Sequence, residues 1–333
     1  MLDALRRRNN LLPIVVCCSG LIVVYFLYAA HSVLWLVAFF GTLFFTYLEV
    51  VTQWSFRAPT RRKEPVTDDN WAVHDLDANG TRMRLYVRQG QESSPVLWMC
   101  HGWTAGSVRL VPRAQVFVER GWSVVLIDLP NHGSSGSLVK WTAEQSTTII
   151  IDCMNQLLNI SPLRFENGMY FYGHSIGSFI GLRISKRRDE LRFGNNFDGW
   201  ILESPMTGYT EIFQETCNLL RIPHPLRPWV LKKTIRHVNA INVATSDLVD
   251  LSEADVPLWG MTTEPTLLVQ AFPDERLGAI HHERLIEHMG QVQGGLLTVE
   301  LLDELTHSGS HQSSARDEAI VRWLNMLEHH SSA

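Results

Sequence analysis

The chain has 333 residues, of which 45% are hydrophobic and 19% are charged, and its formal net charge at pH 7 is -5. This is the balance of a globular protein, and it does not favour a nucleic-acid partner. The five cysteines include no C-x-x-C pair, so the sequence predicts neither a disulfide framework nor a zinc site, and we expect no cofactor.

An apolar segment at residues 11–51 follows a basic N-terminal segment at residues 1–10. The apolar segment contains no Lys, Arg or Asp, and Glu49 is its only acid. As one helix it would extend about 60 Å, twice the thickness of a hydrocarbon core of about 30 Å. Two transmembrane helices with a turn near His31-Ser32 therefore fit better, and the lipid bilayer is an expected partner.

Basic residues flank the apolar segment on both sides, with Arg6-Arg7-Arg8 before it and Arg57, Arg61, Arg62 and Lys63 after it. The positive-inside rule then places both ends, and the domain that follows, in the cytoplasm. A single tilted span with the other half at the interface is the alternative, and it would put that domain across the membrane. A cleaved signal peptide fits less well, because the apolar sequence is too long.

A charged, proline-bearing linker at residues 52–70 precedes the remaining domain, residues 71–333. Asn79-Gly80 lies between two strand-like runs and predicts a tight β-hairpin. Short apolar runs then alternate with helix-length stretches, which is typical of a mostly parallel α/β sheet with flanking helices. The strand predictions are 96–100, 123–128, 169–173, 200–204, 266–271 and 296–302, and the helix predictions are 109–120, 142–159, 176–188, 280–289 and 315–328.

An insertion at about residues 205–264 interrupts this alternation. It lies between two core strands and contains two helical stretches. Insertions of this kind often form lids, so we expect a helical lid here.

The sequence Gly173-His174-Ser175-Ile176-Gly177 stands between an apolar strand and a helix. Strand, sharp turn and helix are the context that a nucleophile elbow requires, and glycines leave room where the strand and helix approach each other. Ser175 is therefore the candidate nucleophile.

A serine nucleophile needs a histidine base and an acid that orients the histidine. Asp274 follows the strand at 266–271 and is the preferred acid, with Glu203 and Asp303 as competitors. His307 follows the last strand and is preferred to His311 as the base, because it leaves a loop before the C-terminal helix.

The oxyanion of an acyl-transfer intermediate needs backbone N–H donors. Ile176 is expected to supply one and Trp103, in the loop after the strand at 96–100, the other. His101, Asp128 and His132 are interpreted as structural residues of neighbouring loops.

Taken together, the chain resembles the α/β-hydrolase superfamily over about residues 72–328. The motifs His101-Gly102, Asp-x-Pro-x-His-Gly-x-Ser from Asp128, Gly-His-Ser-Ile-Gly and Leu-Glu-Ser-Pro at residues 202–205 occur in the superfamily's order, followed by Asp274 and His307. The Leu-Glu-Ser-Pro run is most similar to the branch of membrane-tethered monoacylglycerol and lysophospholipid hydrolases. Ala271 and Ser178 stand where relatives often carry glycine.

The resemblance implies a serine hydrolase that works through an acyl-enzyme. The predicted helical hairpin would hold the site beside the bilayer, where lipid-like substrates dissolve, so we expect a membrane-anchored enzyme that cleaves small-molecule or lipid-like carboxylic esters. A peptide or thioester hydrolase of the same fold is an alternative, because the same residues serve several leaving groups. A catalytically silent, membrane-tethered interaction protein is another. The sequence does not predict the oligomeric state.

Overall fold

The computed structural model describes residues 11–59, 62–160, 163–194, 196–292 and 296–331. The predicted basic segment at residues 1–10 and Arg61 of the second basic cluster lie outside these ranges. The described residues divide into two units. The helical unit contains residues 11–58, 139–142 and 209–254, and the sheet unit contains the remainder.

Eight strands form one sheet in the sheet unit, in the order β1-β2-β4-β3-β5-β6-β7-β8. The β1–β2 and β2–β4 pairs are antiparallel, and the other pairs are parallel. The strands are β1 (Ala72–Ala78), β2 (Thr81–Arg88), β3 (Val96–Cys100), β4 (Ser123–Ile127), β5 (Met169–His174), β6 (Phe197–Glu203), β7 (Thr266–Ala271) and β8 (Leu297–Leu302).

Helices of the sheet unit connect these strands and cover the sheet. They are α3 (Val111–Glu119), α4 (Ala143–Leu157), α5 (Ile176–Lys186), α8 (Ala279–Val292) and α9 (Ser314–Ser331). Every residue of β3, β4 and β7 is buried, as expected for strands that are covered on both faces. The predicted alternation of strands and helices in a mostly parallel sheet is thus confirmed.

The helical unit contains α1 (Leu12–Ala29), α2 (Leu34–Trp54), α6 (Tyr209–Leu219) and α7 (Arg227–Ile241). Helices α1 and α2 are long and apolar enough to cross a membrane, with mean hydropathies of 2.3 and 1.8. His31, in the turn between them, has a positive φ of 55°, and the turn lies where the sequence predicts it. The unit has its own core, which includes Leu48 of α2, Phe213 and Cys217 of α6 and Val230 of α7.

Most predicted strands and helices differ from the observed ones by one to three residues at an end, and two of these differences have a clear physical reason. Strand β6 begins at Phe197, three residues before the apolar run at residues 200–204. The start was missed because the exposed Asp198 and the buried Gly199 separate Phe197 from that run. Helix α2 continues to Trp54, past the predicted end of the apolar segment, since the polar Thr52 and Gln53 are buried in the helical unit.

Candidate active site

Ser175 lies in the turn between β5 and α5, with φ +55° and ψ −116°. This is a strained conformation for a residue with a side chain, and such strain is common at functional sites. The flanking glycines make the turn possible. A Cβ at Gly173 would lie 2.4 Å from the Ser178 backbone, and a Cβ at Gly177 would lie 2.3 Å from the Cys100 carbonyl oxygen.

His307 lies between Ser175 and Asp274 in the sheet unit. Its Nε2 is 3.0 Å from Ser175 Oγ, and its Nδ1 is 2.9 Å from Asp274 Oδ2. All three residues are buried, with exposed fractions of 7% for Ser175, 7% for Asp274 and 4% for His307. The structure therefore brings together the three residues that the sequence selects as nucleophile, base and acid.

Asp274 is surrounded by hydrogen-bond donors. Its Oδ1 accepts from the backbone N–H groups of Arg276 (2.9 Å) and Leu277 (2.8 Å), and its Oδ2 accepts from Gln270 Nε2 at 3.1 Å as well as from His307. Burial raises the pKa of Asp274, but the His307 and backbone hydrogen bonds outweigh it and lower the pKa to about 2. The carboxylate is therefore ionised at neutral pH.

Two side chains hold the His307 backbone. His174 Nε2 donates to the His307 carbonyl oxygen at 2.8 Å, and the Glu275 carboxylate accepts from the His307 N–H at 3.2 Å. Burial lowers the pKa of His174 to about 3, so its ring is neutral and carries its proton on Nε2. Sequence reasoning missed both residues. Their positions beside Ser175 and Asp274 were the available signal, but nothing in the pattern indicates that they bond to a loop that lies far along the chain.

The competing acids lie in other surroundings. Glu203 makes a buried bidentate ion pair with Arg113, with two N···O distances of 2.7 Å, and also accepts from the Tyr172 hydroxyl. Burial raises the pKa of Glu203, but the charge and hydrogen bonds of Arg113 lower it well below the ordinary value. Asp303 is exposed.

The competing base also has a different neighbour. His311 Nδ1 lies 3.4 Å from Arg113 Nη1. Burial, together with the charges of Arg109 and Arg113, lowers the pKa of His311. The imidazole within hydrogen-bond distance of Ser175 is that of His307.

The loop after β3 runs directly beside Ser175. A Cβ at Gly102 would lie 3.3 Å from Ser175 Cβ, and Trp103 is the next residue. Ile176 is the first residue of α5, adjacent to the serine on the other side. The two expected oxyanion donors therefore belong to chain segments that meet at Ser175.

His101, Asp128 and His132 order the loops next to Ser175. His101 Nδ1 donates to the Gly102 carbonyl oxygen, and its Nε2 accepts from Leu129 N–H. Asp128 accepts from the backbone of Ser107 (2.7 Å) and Ser134 (2.8 Å). Burial lowers the pKa of His101 to about 4 and that of His132 to about 3, so both rings are neutral.

Comparisons with known proteins agree with this architecture. Residues 91–256 match the model of the family described as Hydrolase_4, serine aminopeptidase, S33. The matched range includes Ser175 and ends before Asp274 and His307. No curated protein matches the chain.

Solved structures share the fold at low sequence identity. An esterase from Pyrococcus furiosus, Pf2001, aligns with a TM-score of 0.55 and 13% identity over 82% of this chain and 97% of its own. The α/β hydrolase GrgF from Penicillium sp. sh18 aligns with a TM-score of 0.53 and 13% identity over 79% of this chain and 99% of its own. At such identities the similarity establishes the fold alone.

Proposed function

Because this chain has the α/β-hydrolase fold and matches the Hydrolase_4 (serine aminopeptidase, S33) family over residues 91–256, we propose that it is a serine hydrolase of carboxylic esters. Ser175 is the nucleophile, His307 the general base and Asp274 the acid that orients the base. The proposal rests above all on the 3.0 Å and 2.9 Å distances that link these three side chains through the two nitrogens of His307.

In the acylation step, Ser175 Oγ attacks the ester carbonyl carbon while His307 Nε2 takes the hydroxyl proton. The carbonyl oxygen becomes an oxyanion, which the N–H groups of Trp103 and Ile176 stabilise. The intermediate collapses, the bond to the leaving alcohol breaks, and His307 returns the proton to that oxygen. Asp274 remains ionised and stabilises the imidazolium while it exists.

In the deacylation step, water replaces the alcohol at the acyl-enzyme. His307 takes a proton from the water as its oxygen attacks the Ser175 ester, and a second tetrahedral intermediate forms. Its collapse releases the carboxylic acid and returns the proton to Ser175 Oγ. The chemistry requires only residues of the sheet unit and water.

The substrate class follows from the proposed setting of the enzyme. The helices α1 and α2 are apolar enough to associate with a bilayer, and a hydrolase attached there meets esters that partition into lipid. We therefore assign lipid-like acyl esters as the preferred substrates. The hydrolase domain is cytoplasmic in this proposal, an assignment that rests on the basic residues flanking the apolar segment.

A peptide hydrolase is the second candidate, and one observation favours it. The family matched by residues 91–256 is described as serine aminopeptidase. Acyl transfer from an amide uses the same nucleophile, base and oxyanion donors, with protonation of the leaving amine by His307.

A fluorophosphonate probe tests the enzymatic proposal directly. The full chain in detergent should be labelled, and Ser175→Ala should lose both labelling and turnover by several orders of magnitude, because the three residues act as a unit. Ser93→Ala removes an exposed serine and should behave as the parent chain. Labelling that persists in Ser175→Ala would show that a residue other than Ser175 reacts with the probe.

A substrate panel separates the two candidate activities. We expect kcat/KM to be highest for esters of long acyl chains, lower for short esters, and lowest for aminoacyl amides. A preference for the amides would replace the ester assignment with the peptidase one.

A further inference from the structure

Helices α1 and α2 form a tight antiparallel hairpin. A Cβ at Gly20 would lie 2.2 Å from Thr42 Oγ1, so the two helices touch at this level. Beyond it, toward the turn, large apolar side chains face outward, including Phe26 (66% exposed), Val33 (78%) and Val37 (71%). We call the part from Leu21 to Gly41 the hairpin apex.

One face of the other half of α2 is covered by α7, which runs alongside it in the same direction, while Phe45, Val50 and Trp54 on its other faces are exposed. Trp229 contacts Phe44 edge to face, Lys233 pairs with Glu49, and His237 stacks on Phe56 at 5.7 Å between ring centroids. Leu48 and Val51 of α2 are buried in the core of the helical unit. Thr42 is buried against Gly20 of α1, and the other buried residues of α2 lie in the half beside α7: Leu48, Glu49, Val51, Thr52 and Gln53.

The length of α2 that has no α7 beside it is too short to cross a bilayer. From Phe44, where contact with α7 begins, to Leu34 at the start of α2 is ten residues, about 15 Å at 1.5 Å per residue. The hydrocarbon core is about 30 Å thick. The hairpin apex therefore matches one leaflet.

The charge of α7 excludes it from the hydrocarbon core. The helix contains Arg227, Lys232, Lys233 and Arg236 and no acidic residue, and Lys232 and Arg236 are exposed. Each such cation at the centre of a bilayer costs about 3 kcal/mol on insertion scales. The same cations are attracted to anionic lipid headgroups. Trp229, half exposed beside Phe44, is of the residue type that favours the membrane interface.

We infer that the hairpin is a monotopic anchor: its apex enters one leaflet, and α7 lies at the headgroup level of that leaflet. The inference deepens the proposed function and rests on its assignment of a membrane-associated enzyme. Ile14 of α1, beside the covered half, is 58% exposed, which fits an oblique entry with α1 on the lipid side. Both ends of the hairpin then lie on one side of the membrane without any segment crossing it.

Cysteine accessibility in vesicles tests this topology. The full chain, with Cys17→Ala and Cys18→Ala, is reconstituted into vesicles of phosphatidylcholine and an anionic lipid. Val33→Cys places a thiol at the hairpin turn, and Val73→Cys, also exposed, places a matched thiol on β1 of the sheet unit. A membrane-impermeant maleimide is supplied outside or inside, and a bimane label at residue 33 reports quenching by nitroxide lipids of different depth.

We expect Val73→Cys to react from one side, and Val33→Cys to react from neither side until detergent is added. The bimane should be quenched most by nitroxides near the bilayer centre. Reaction of Val33→Cys from the side opposite Val73→Cys would establish two spans and overturn this inference alone. Reaction of both thiols from the same side would overturn the membrane association as well, while hydrolysis of a soluble ester would still report on the proposed chemistry.

Discussion

His307 is held through four of its atoms. Ser175 and Asp274 contact its two ring nitrogens, His174 bonds its carbonyl oxygen, and Glu275 bonds its N–H. A side chain that is held through both its ring and its backbone needs little reorganisation to act as the proposed base. The choice of base can therefore be tested residue by residue.

We expect His307→Ala to be as damaging to kcat as Ser175→Ala, because the serine then has no group to accept its proton. His311→Ala is the matched control and should retain most of the activity, since its ring lies beside Arg113 instead. Initial rates on one activated ester decide between them. An inactive His311→Ala with a normal melting temperature would contradict this assignment of the base.

Asp274→Asn should lower kcat by roughly 10⁴-fold, because an amide at this position can favour the wrong tautomer of His307.

The folding stability of the parent chain should also depend on pH in the acid range, because of Asp274. The pKa of Asp274 is lowered to about 2 in the folded chain from 3.8, so ionised Asp274 stabilises the fold at neutral pH, and that contribution is lost as the pH falls from about 4 through 2. Unfolding of the parent chain and of Asp274→Asn between pH 2 and 7 measures this contribution. If the stability of Asp274→Asn had the same pH dependence as that of the parent chain, the assigned contribution of Asp274 would be wrong.

Glu203→Gln should act on stability. The exchange leaves the Arg113 charge buried with a neutral partner, which costs about 3 kcal/mol, or a fall in melting temperature on the order of 10 °C. Activity per folded molecule, measured well below the new melting temperature, should change far less than in Asp274→Asn. A stable but inactive Glu203→Gln variant would indicate that Glu203, at the end of β6, is the acid that orients His307.

At this scale the sequence predicted which side chains are brought together at Ser175 but missed the contacts that hold them. Motif order places Asp274 and His307 after two parallel strands, and parallel strands end at a common edge. The bond from His174 to the His307 carbonyl depends on backbone positions 133 residues apart, for which no spacing rule exists.

At the scale of elements, the approach of α5 to β3 is limited by Gly177. We expect Gly177→Ala to reduce kcat about 100-fold and to destabilise the chain by about 1–3 kcal/mol, because the new methyl group meets the Cys100 backbone and displaces Ser175. Gly290→Ala in α8 is the control, since nothing lies within 4 Å of the added Cβ, and it should be neutral or slightly stabilising. Comparable activity of the two variants would show that the elbow tolerates displacement.

The element predictions succeeded where burial produces an unbroken apolar run. Strands β3 and β7 have the predicted bounds, since all of their residues are buried. The start of β6 and the end of α2 were missed. In β6, Asp198 and Gly199 separate Phe197 from the apolar run, and in α2 the polar Thr52 and Gln53 are buried by packing against segments distant along the chain.

At the scale of the whole molecule, the N-terminal helices supply part of a protein core. Removing residues 1–58, a common way to obtain a soluble domain, deletes Leu48 and Val51 and leaves Phe213, Cys217 and Val230 without that side of their core. We expect the truncated chain to aggregate, as judged by size-exclusion chromatography and dye binding. A monodisperse, active truncated chain would contradict this.

Two single substitutions in the full chain provide the matched comparison. Leu48→Ala should destabilise the helical unit by about 2–5 kcal/mol, because Leu48 is fully buried. Leu43→Ala, five residues earlier and 49% exposed, should change stability little. Thermal unfolding in detergent measures both.

The pairing of Glu49 with Lys233 also has a consequence for synthesis. The two residues are 184 positions apart, so at 5–20 residues per second the carboxylate waits about 10–40 s for its partner to be translated. During that interval the apolar hairpin has already been synthesised, while Lys233, the cation that pairs with Glu49, has not. If the hairpin enters a bilayer as proposed, we expect the end of α2 to stay in water or bound to a chaperone until α7 emerges, so that the order of translation contributes to how the anchor is assembled.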